Sequence, residues 1–180
     1  MTAAQADLQA EFLEMPEGLR IDRPEVADGA ALWRIAKDSG KLDLNSSYSY
    51  LLWCRDFAGT SAVARSGPDG RPVGFVTAYL RPDRPRTLLV WQVAVDADQR
   101  GRGLAARLLD GLTARVADEH GVTAIETTIT PGNTASERLF MSYARRHGAA
   151  VEREILFETG QFPDGPHDPE VLYRIGPLSV

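Results

Sequence analysis

The clearest chemistry in the sequence lies in a short turn that is rich in glycine and arginine. Arg100-Gly101-Arg102-Gly103 follows an apolar stretch, residues 89–95, and precedes leucines at helical spacing. A helix N-terminus carries unpaired backbone N–H groups and a partial positive charge, so such a turn can hold a phosphate. Glycines let the main chain approach that anion, and arginines add charge and paired donors. The alternative is an ordinary strand-to-helix turn with solvated arginines, because the common nucleotide-binding glycine motifs are incomplete here.

A second candidate region is polar and lies far upstream, at residues 42–50. Its sequence, L-D-L-N-S-S-Y-S-Y, combines an acid, an amide, several hydroxyls and two phenols. Each group alone has a simple structural explanation: Asp43 can form a turn, and Ser46 or Ser47 can cap the following helix. Together they are better explained as hydrogen-bonding groups in the wall of a substrate pocket between two helices.

The elements that would position these groups follow from the periodicity of apolar residues. A short strand and two helices precede a three-stranded antiparallel meander with turns at 67–70 and 82–85. A long helix, a β-branched strand, a helix capped by Asn133 or Thr134, and a closing hairpin complete the order. This order predicts an α+β fold of three layers (α/β three-layer), in which helices flank a twisted, mixed and mostly antiparallel sheet. The predicted strands lie near 19–21, 60–65, 72–80, 87–95, 124–130, 150–157 and 171–175, and the helices at 28–39, 48–57, 104 to about 118, and 134–148.

Length and composition limit the possible functions. The 180 residues fit one domain, predicted at 18–180 behind a loosely held N-terminal arm, residues 1–17. The net charge of −5 argues against nucleic acid or an anionic membrane as a partner. The single Cys54 cannot form an internal disulfide, and the sequence has neither a membrane-length apolar run nor a signal peptide. A cytoplasmic protein without a metal site is therefore expected.

The turn and the order of elements together resemble the GNAT superfamily of N-acetyltransferases. Residues 99–104, Q-R-G-R-G-L, match the Q/R-x-x-G-x-G/A loop with which that family binds the pyrophosphate of acetyl-CoA, and a V-x-V-D strand end precedes them. The resemblance implies that strand 87–95 splays from strand 124–130 and binds the pantetheine arm through its main chain. Asn133 matches a family position that contacts the cofactor, although a plain helix cap explains it equally well. The implied acetyl-CoA site comprises Val93, Ala94, Val95, Arg100, Gly101, Arg102, Gly103, Leu104, Ala105 and Asn133.

In this family an amine attacks the acetyl thioester directly, which sets two chemical demands. The amine must lose a proton, because an alkyl ammonium has a pKa of about 10, and the thioester oxygen needs hydrogen-bond donors. Backbone N–H groups of the splayed strand can supply those donors. Many members protonate the leaving thiolate with a tyrosine, but Phe140 stands at the matching position. Tyr143, one turn later, is the candidate substitute, and a purely structural role is the alternative.

Within the superfamily, five blocks resemble the diaminobutyrate acetyltransferases of ectoine synthesis. They are D-L-N-S-S-Y-S-Y at 43–50, G-F-V-T-A-Y with R-P-D-R-P within 74–85, V-W-Q-V-A-V-D at 90–96, E-T-T-I-T-P-G-N at 126–133 and L-Y-R-I at 172–175. The implied reaction is acetylation of the 4-amino group of L-2,4-diaminobutyrate to 4-acetamido-2-aminobutyrate, on the way to a compatible solute. The resemblance also implies a homodimer.

Such a substrate carries two ammonium groups and one carboxylate, and its site needs anions, donors and a shaped wall. Asp43 is the first candidate for an ammonium partner, with Asn45, Ser46 and Tyr48 as hydrogen-bonding neighbours. Trp91, predicted to alternate with its neighbours in the strand, is a candidate for an apolar or cation–π wall or, alternatively, a buried sheet aromatic.

Three further residues are candidates near the closing hairpin. Glu152, in a strand expected beside the cleft, is predicted to act as a second carboxylate or as the proton acceptor, and Glu158 is the other acid considered. His167 lies in a connection rich in glycine and proline that can fold over the site, although a solvated loop histidine is the alternative. The catalytic candidates are thus Asp43, Glu152 and Tyr143.

Two other functions stay open at this level. One is acetylation of a different amine, such as an aminoglycoside, a polyamine or a protein N-terminus. The other is acyl-CoA sensing without catalysis, which Phe140 favours because it cannot protonate a leaving thiolate.

Overall fold

The computed structural model describes residues 18–163, 165 and 167–178, so the predicted arm at 1–17 lies outside the described residues. The main elements are β1 (Leu19–Asp22), α1 (Gly29–Ser39), α2 (Ser47–Asp56), β2 (Ala62–Ser66), β3 (Arg71–Arg81), β4 (Arg84–Val95), α3 (Leu104–His120), β5 (Ala124–Ile129), α4 (Thr134–Arg146), β6 (Ala150–Phe157) and β7 (Glu170–Gly176). The strands form one seven-stranded sheet in the order β1-β2-β3-β4-β5-β7-β6. β4 and β5 are parallel and the other neighbours antiparallel, which confirms the predicted mixed, mostly antiparallel sheet.

Helices cover the two faces of the sheet over separate apolar clusters. α1 and α2 pack on β2, β3 and β4 through a small cluster that includes Leu32, Tyr50 and Phe75. α3 and α4 pack on the other face through a larger cluster that reaches from β2 to β7. The leucines of α3 and Val116 are buried in this cluster, as their helical spacing predicts.

The turn between β3 and β4 is shorter than predicted. Arg81 pairs with Arg84, so only Pro82 and Asp83 connect the two strands, and the predicted turn at 82–85 is wrong at its second half. Pro82 and Pro85 predict a longer loop than the two-residue connection that the structure has. Pro85 fits into β4 because β5 joins this strand only from Thr87 onward, so no pairing with β5 is lost at the proline.

β4 and β5 stay together for only a short distance. They pair at Thr87, Leu88 and Leu89 of β4 and then separate, although β4 continues to Val95. One edge of β4 is therefore left open from residue 90 onward. The predicted splay between these two strands is present.

β4 also contains a bulge next to the point of separation. Its pairing with β3 passes from Gln92 directly to Val90, which leaves Trp91 without a partner residue. The bulge overturns the predicted alternation of Trp91 with both neighbours, because an extra residue re-aims the side chains around it. Val90 packs in the cluster under α3, whereas Gln92 bonds to Tyr50 on α2. Trp91 stacks at 6.5 Å on Trp53, also on the α2 side.

Candidate active site

The open edge of β4 provides main-chain groups for an extended ligand. Asp96 donates its backbone N–H to Val73 of the strand next door, so its main chain faces β3. Backbone groups alternate along a strand, and the N–H and C=O groups of Val93 and Val95 consequently face the opposite side, where β5 has moved away. These two residues can pair with an extended ligand as an added strand would. Ala94 instead directs its side chain into the cluster under α1 and α2.

The N-terminus of α3 lies at the end of this edge and has free donors. The helix receives no side-chain cap, and its first intrahelical bond runs from the Arg107 N–H to the Gly103 carbonyl. The N–H groups of residues 104–106 are left for an anion. Gly101 and Gly103 adopt φ values of 75° and 74°, with no atom within 4 Å of the position that a Cβ would take. Arg100 and Arg102 are exposed beside this open space.

An ion pair between a half-exposed arginine and a buried carboxylate fixes the start of this turn. Asp96 is almost fully buried and accepts two hydrogen bonds from Arg34 of α1, at 2.8 and 3.1 Å. This interaction raises the pKa of Arg34, and Arg71 adds a second cation 3.5 Å from Asp96. The turn that carries the anion site is thereby tied to α1.

Asn133 caps a helix, which is the structural alternative predicted for it. Its side chain accepts a hydrogen bond from the Ser136 N–H at 3.2 Å and so caps α4. The cap places Asn133 at the start of the helix that follows β5. Contact with a cofactor stays a prediction.

On the α1–α2 side of the sheet, three acidic or basic side chains converge from distant parts of the sequence. Asp43, between the two helices, is 95% exposed, and its carboxylate lies 3.9 Å from the His167 Nε2 atom. His167 is also 4.0 Å from Glu170, at the start of β7. The connection before β7 therefore folds toward Asp43, as predicted. Glu170 was missed, since a single acid at a strand start carries no signal of its own.

The imidazole of His167 is held by an aromatic neighbour. Phe162 stacks on it with ring centres 3.9 Å apart and an angle of 15° between the rings. Phe157, at the end of β6, packs edge-on against Phe162. The stacking holds Phe162 and His167 against each other and limits where the imidazole can point. His167 is therefore not a freely solvated loop residue.

The other polar residues of the α1–α2 connection have different environments. The Ser46 and Ser49 hydroxyls share a hydrogen bond at 3.1 Å, and Ser46 precedes α2 without capping it through its side chain. Tyr48 projects into solvent, whereas Asn45 is half-buried and lies next to Tyr50. Burial raises the pKa of Tyr50, and the polar neighbours Gln92 and Asn45 oppose that rise. Asn45 is thus turned inward, toward the sheet.

Trp91 forms part of an aromatic wall on the same side of the sheet. It is 52% exposed, which excludes a buried sheet aromatic. Trp53 of α2 stacks on it, and Phe57 and Tyr79 pack against Trp53 at 4.7 and 6.3 Å. An exposed indole face on the same side of the sheet as Asp43 suits the apolar stem or the ammonium group of a small amine.

Two predicted catalytic residues do not lie at the cleft. Glu152 lies on β6, the outer strand, and β7 and β5 separate it from β4; its side chain is 75% exposed and pairs with Arg174 at 3.4 Å. The prediction that its strand borders the cleft is wrong, because β7 is inserted between β5 and β6. Tyr143 is fully buried between α3 and α4, and burial raises its pKa. The structure supports its structural role instead of general acid chemistry. Glu158, the other acid considered, bonds to the Thr159–Gln161 turn.

A buried carboxylate below the cleft was also missed. Glu126 is fully buried in β5 opposite Leu89, the last residue of β4 before the strands separate. It accepts hydrogen bonds from Arg81 at 3.0 Å and Arg174 at 2.8 Å, and this bond raises the pKa of Arg174. Glu126 thereby joins β3, β5 and β7 at the base of the splay. Among the described residues, no group of three or more His, Cys, Asp or Glu side chains could hold a metal. No described helix has the length and apolarity of a membrane span.

Comparison with known proteins agrees with this geometry. A model of the acetyltransferase (GNAT) family matches residues 29–144. The L-2,4-diaminobutyric acid acetyltransferase of Streptomyces avermitilis is 84% identical over 179 residues, 99% of each chain. The enzyme of that name from Marinococcus halophilus is 44% identical over 163 residues, 91% of this chain and 92% of the relative.

A solved structure of similar shape holds the amine substrate of such an enzyme together with coenzyme A. The diaminobutyrate acetyltransferase EctA from Paenibacillus lautus, in complex with L-2,4-diaminobutyric acid and coenzyme A, superposes with a TM-score of 0.81 at 42% identity. The match covers 88% of this chain and 95% of that chain. The fold expected from the sequence is confirmed.

Proposed function

The chain belongs to the acetyltransferase (GNAT) family, and on that premise we propose that it acetylates the 4-amino group of L-2,4-diaminobutyrate with acetyl-CoA. The observation that carries this proposal is the position of Asp43, His167 and Trp91 on one side of the open β4 edge. That arrangement puts an ammonium-binding group and an aromatic wall next to the site for an acyl-CoA. The relatives at 84% and 44% identity, and the related structure that holds both ligands, support the same substrates.

The donor would bind along β4 and at the N-terminus of α3. Val93 and Val95 offer main-chain groups to the pantetheine arm, and residues 100–105 offer N–H groups and two arginines to the pyrophosphate. The positive φ values of Gly101 and Gly103 keep this surface concave. The aligned N–H groups act on the anion with the partial charge of a helix N-terminus.

The acceptor would lie across β4 from the helix that binds the pyrophosphate. Asp43 holds one ammonium group, Trp91 covers the short aliphatic chain, and His167 before β7 and Glu170 at its start close the site. Ser46 and Tyr48, which are exposed and close to Asp43 in the chain, would offer hydroxyl groups to the acceptor, whereas Asn45 is turned toward Tyr50. This arrangement presents only one of the two amines to the thioester.

The reaction requires a proton acceptor and fixed hydrogen-bond donors. His167 and Glu170 are the groups near the acceptor that can take up the ammonium proton, which frees the nitrogen lone pair to attack the thioester carbon. The carbon–sulfur bond then breaks, the nitrogen gives up its second proton to solvent, and the thiolate takes one proton from solvent. Backbone N–H groups at the open edge of β4 stabilise the negative charge on the carbonyl oxygen. Phe140 and the buried Tyr143 leave no tyrosine for the thiolate in α4.

The product, 4-acetamido-2-aminobutyrate, places the enzyme in ectoine synthesis, a response to osmotic stress. A cytoplasmic location is supported by the single free cysteine, which is buried. The proposed homodimer is supported by the family resemblance alone. Sedimentation equilibrium checks it, and a mass equal to one chain at micromolar concentration contradicts it.

A panel of amines tests the proposed function. Steady-state turnover with acetyl-CoA is measured for L-2,4-diaminobutyrate, ornithine, lysine, a polyamine, an aminoglycoside and a peptide with a free N-terminus. We expect kcat/KM to be highest for diaminobutyrate, with 4-acetamido-2-aminobutyrate as the product by mass spectrometry. A better turnover of another amine contradicts the substrate assignment. Binding of acetyl-CoA without transfer to any amine would make the protein a sensor.

A further inference from the structure

We propose that Gln92 is a positioning residue through which β4 holds the acceptor-binding segment, residues 43–46, at the open edge. The inference rests on the proposed function, because it concerns how Asp43 is presented to the acceptor. Gln92 is nearly fully buried and follows directly after Trp91 in the bulge. Its side chain reaches from the sheet to the connection between α1 and α2.

Two hydrogen bonds define the orientation of the Gln92 amide. Its Nε2 atom donates to the Asp43 carbonyl at 2.9 Å, and its Oε1 atom accepts from the Tyr50 hydroxyl at 3.0 Å. A backbone carbonyl can only accept, so the NH₂ group must face Asp43 and the oxygen must face the hydroxyl. Both ends of the amide are therefore used, and no other orientation satisfies both partners.

The same tyrosine contacts the segment at a second point. Asn45 is half-buried and lies next to Tyr50, which is buried in the first turn of α2. Residues 43–46 belong to neither helix and keep their position through these contacts. The Asp43 carboxylate itself makes no contact with Gln92 and is free to face His167.

This arrangement links the two halves of the site through one residue. The bulge puts Gln92 on the α2 side next to Trp91, while Val93 and Val95 of the same strand line the donor cleft. Gln92 thus fixes the distance between Asp43 and the edge of β4 where the thioester would lie. Loss of the amide should move the acceptor without disturbing the anion site at α3.

The test compares Gln92→Leu, Gln92→Glu and Tyr50→Phe with the wild type. Gln92→Glu keeps the shape but removes the donor to the Asp43 carbonyl, and Tyr50→Phe removes the hydroxyl that orients the amide. We expect Gln92→Leu and Gln92→Glu to raise the acceptor KM at least about tenfold, as small displacements of bound substrates do. Tyr50→Phe should have a smaller effect in the same direction. The KM for acetyl-CoA should stay within about twofold of the wild-type value.

Thr113→Val serves as the matched control, since Thr113 is a buried residue that donates to the Leu109 carbonyl inside α3. It should lower the melting temperature without changing either KM. A second readout is independent of activity: amide hydrogen exchange of the free enzyme should speed up at residues 41–46 in the Gln92 variants, but not at 100–105.

Three results would overturn the proposal: an unchanged acceptor KM, an equal rise of both KM values, or unchanged exchange at 41–46. The exchange arm is measured without substrate, and the kinetic arm uses whichever amine the wild type acetylates best. A wrong substrate assignment therefore leaves this test intact. If Gln92→Leu does not fold, Gln92→Glu and Tyr50→Phe decide the matter.

Discussion

Asp43 is the residue on which the choice of acceptor chiefly depends. Its carboxylate is exposed, has the His167 imidazole as its charged neighbour among the described residues, and is presented by a main chain that Gln92 holds. A carboxylate that stabilised the fold would be paired or buried. An exposed acid on a fixed support is instead ready to bind a cation.

The first prediction concerns Asp43→Ala. A hydrogen bond to a charged group contributes about 1.5–3 kcal/mol, so the loss of the ammonium partner should lower kcat/KM for the amine by about one to two orders of magnitude or abolish turnover. The dissociation constant of acetyl-CoA, measured by calorimetry, should stay within about twofold. Asp56→Ala is the matched control, because Asp56 is an exposed acid at the end of α2 that pairs with its neighbour Arg55. A fully active Asp43→Ala enzyme would show that Asp43 only forms a turn.

At the residue scale, candidate site residues could be predicted from the sequence where several polar side chains lie close together in the chain. Asp43 and Asn45 stand out because a short segment concentrates polar side chains. Glu170 and Gln92 do not, since each is one polar residue in a strand pattern. Their roles arise from contacts with segments that are distant in the sequence, and such contacts have no local signal.

At the scale of elements, α3 and the turn before it determine donor binding. Gly103 ends the turn in a left-handed conformation, and Gly121 ends the same helix in a similar one, with φ values of 74° and 65°. In both places the space for a Cβ is open. An alanine at either position therefore costs backbone strain alone, on the order of 1 kcal/mol. Only at Gly103 would this strain displace the backbone N–H groups that face the anion.

The second prediction compares these two glycines. Gly103→Ala and Gly121→Ala should lower the free energy of unfolding by similar amounts, but only Gly103→Ala should weaken acetyl-CoA binding, by about tenfold or more. Calorimetric titration with acetyl-CoA and urea unfolding provide the two measurements. Equal affinities in the two variants would mean that the N-terminus of α3 does not hold the pyrophosphate.

The helices and strands were easier to predict from the sequence than the order and register in which the strands pair. Helix and strand periods reflect burial along one segment, so α3, β5 and the hairpin of β6 and β7 could be located from the sequence. The insertion of β7 between β5 and β6 depends on pairing between distant strands, and it moved Glu152 away from the cleft. The bulge at Trp91 depends on the register of β3 against β4. Neither feature leaves a pattern within a single segment.

At the scale of the whole molecule, the two apolar clusters have different consequences for the site. The larger one holds α3 and α4 and supports the donor half, and the smaller one holds α1 and α2 and supports the acceptor half. Arg34 of α1 bonds to Asp96 directly after β4, and Gln92 of β4 bonds to the connection between α1 and α2. The acceptor half is therefore the part whose stability should respond to changes in the small cluster.

The last prediction uses Cys54, which is buried in that small cluster and whose thiol pKa is raised from 9.0 to about 12, mainly by burial. Above pH 9 the unfolded chain loses this proton while the folded protein keeps it, so the thiol lowers stability by about 1.4 kcal/mol per pH unit between the two pKa values. Cys54→Ala should be less stable than the wild type at pH 8 because of a small cavity, and this deficit should shrink at pH 10. Urea unfolding at pH 8, 9 and 10 measures the difference, in which the tyrosines common to both proteins cancel. A constant deficit across this range would mean that the thiol ionises within the folded protein at its ordinary pKa.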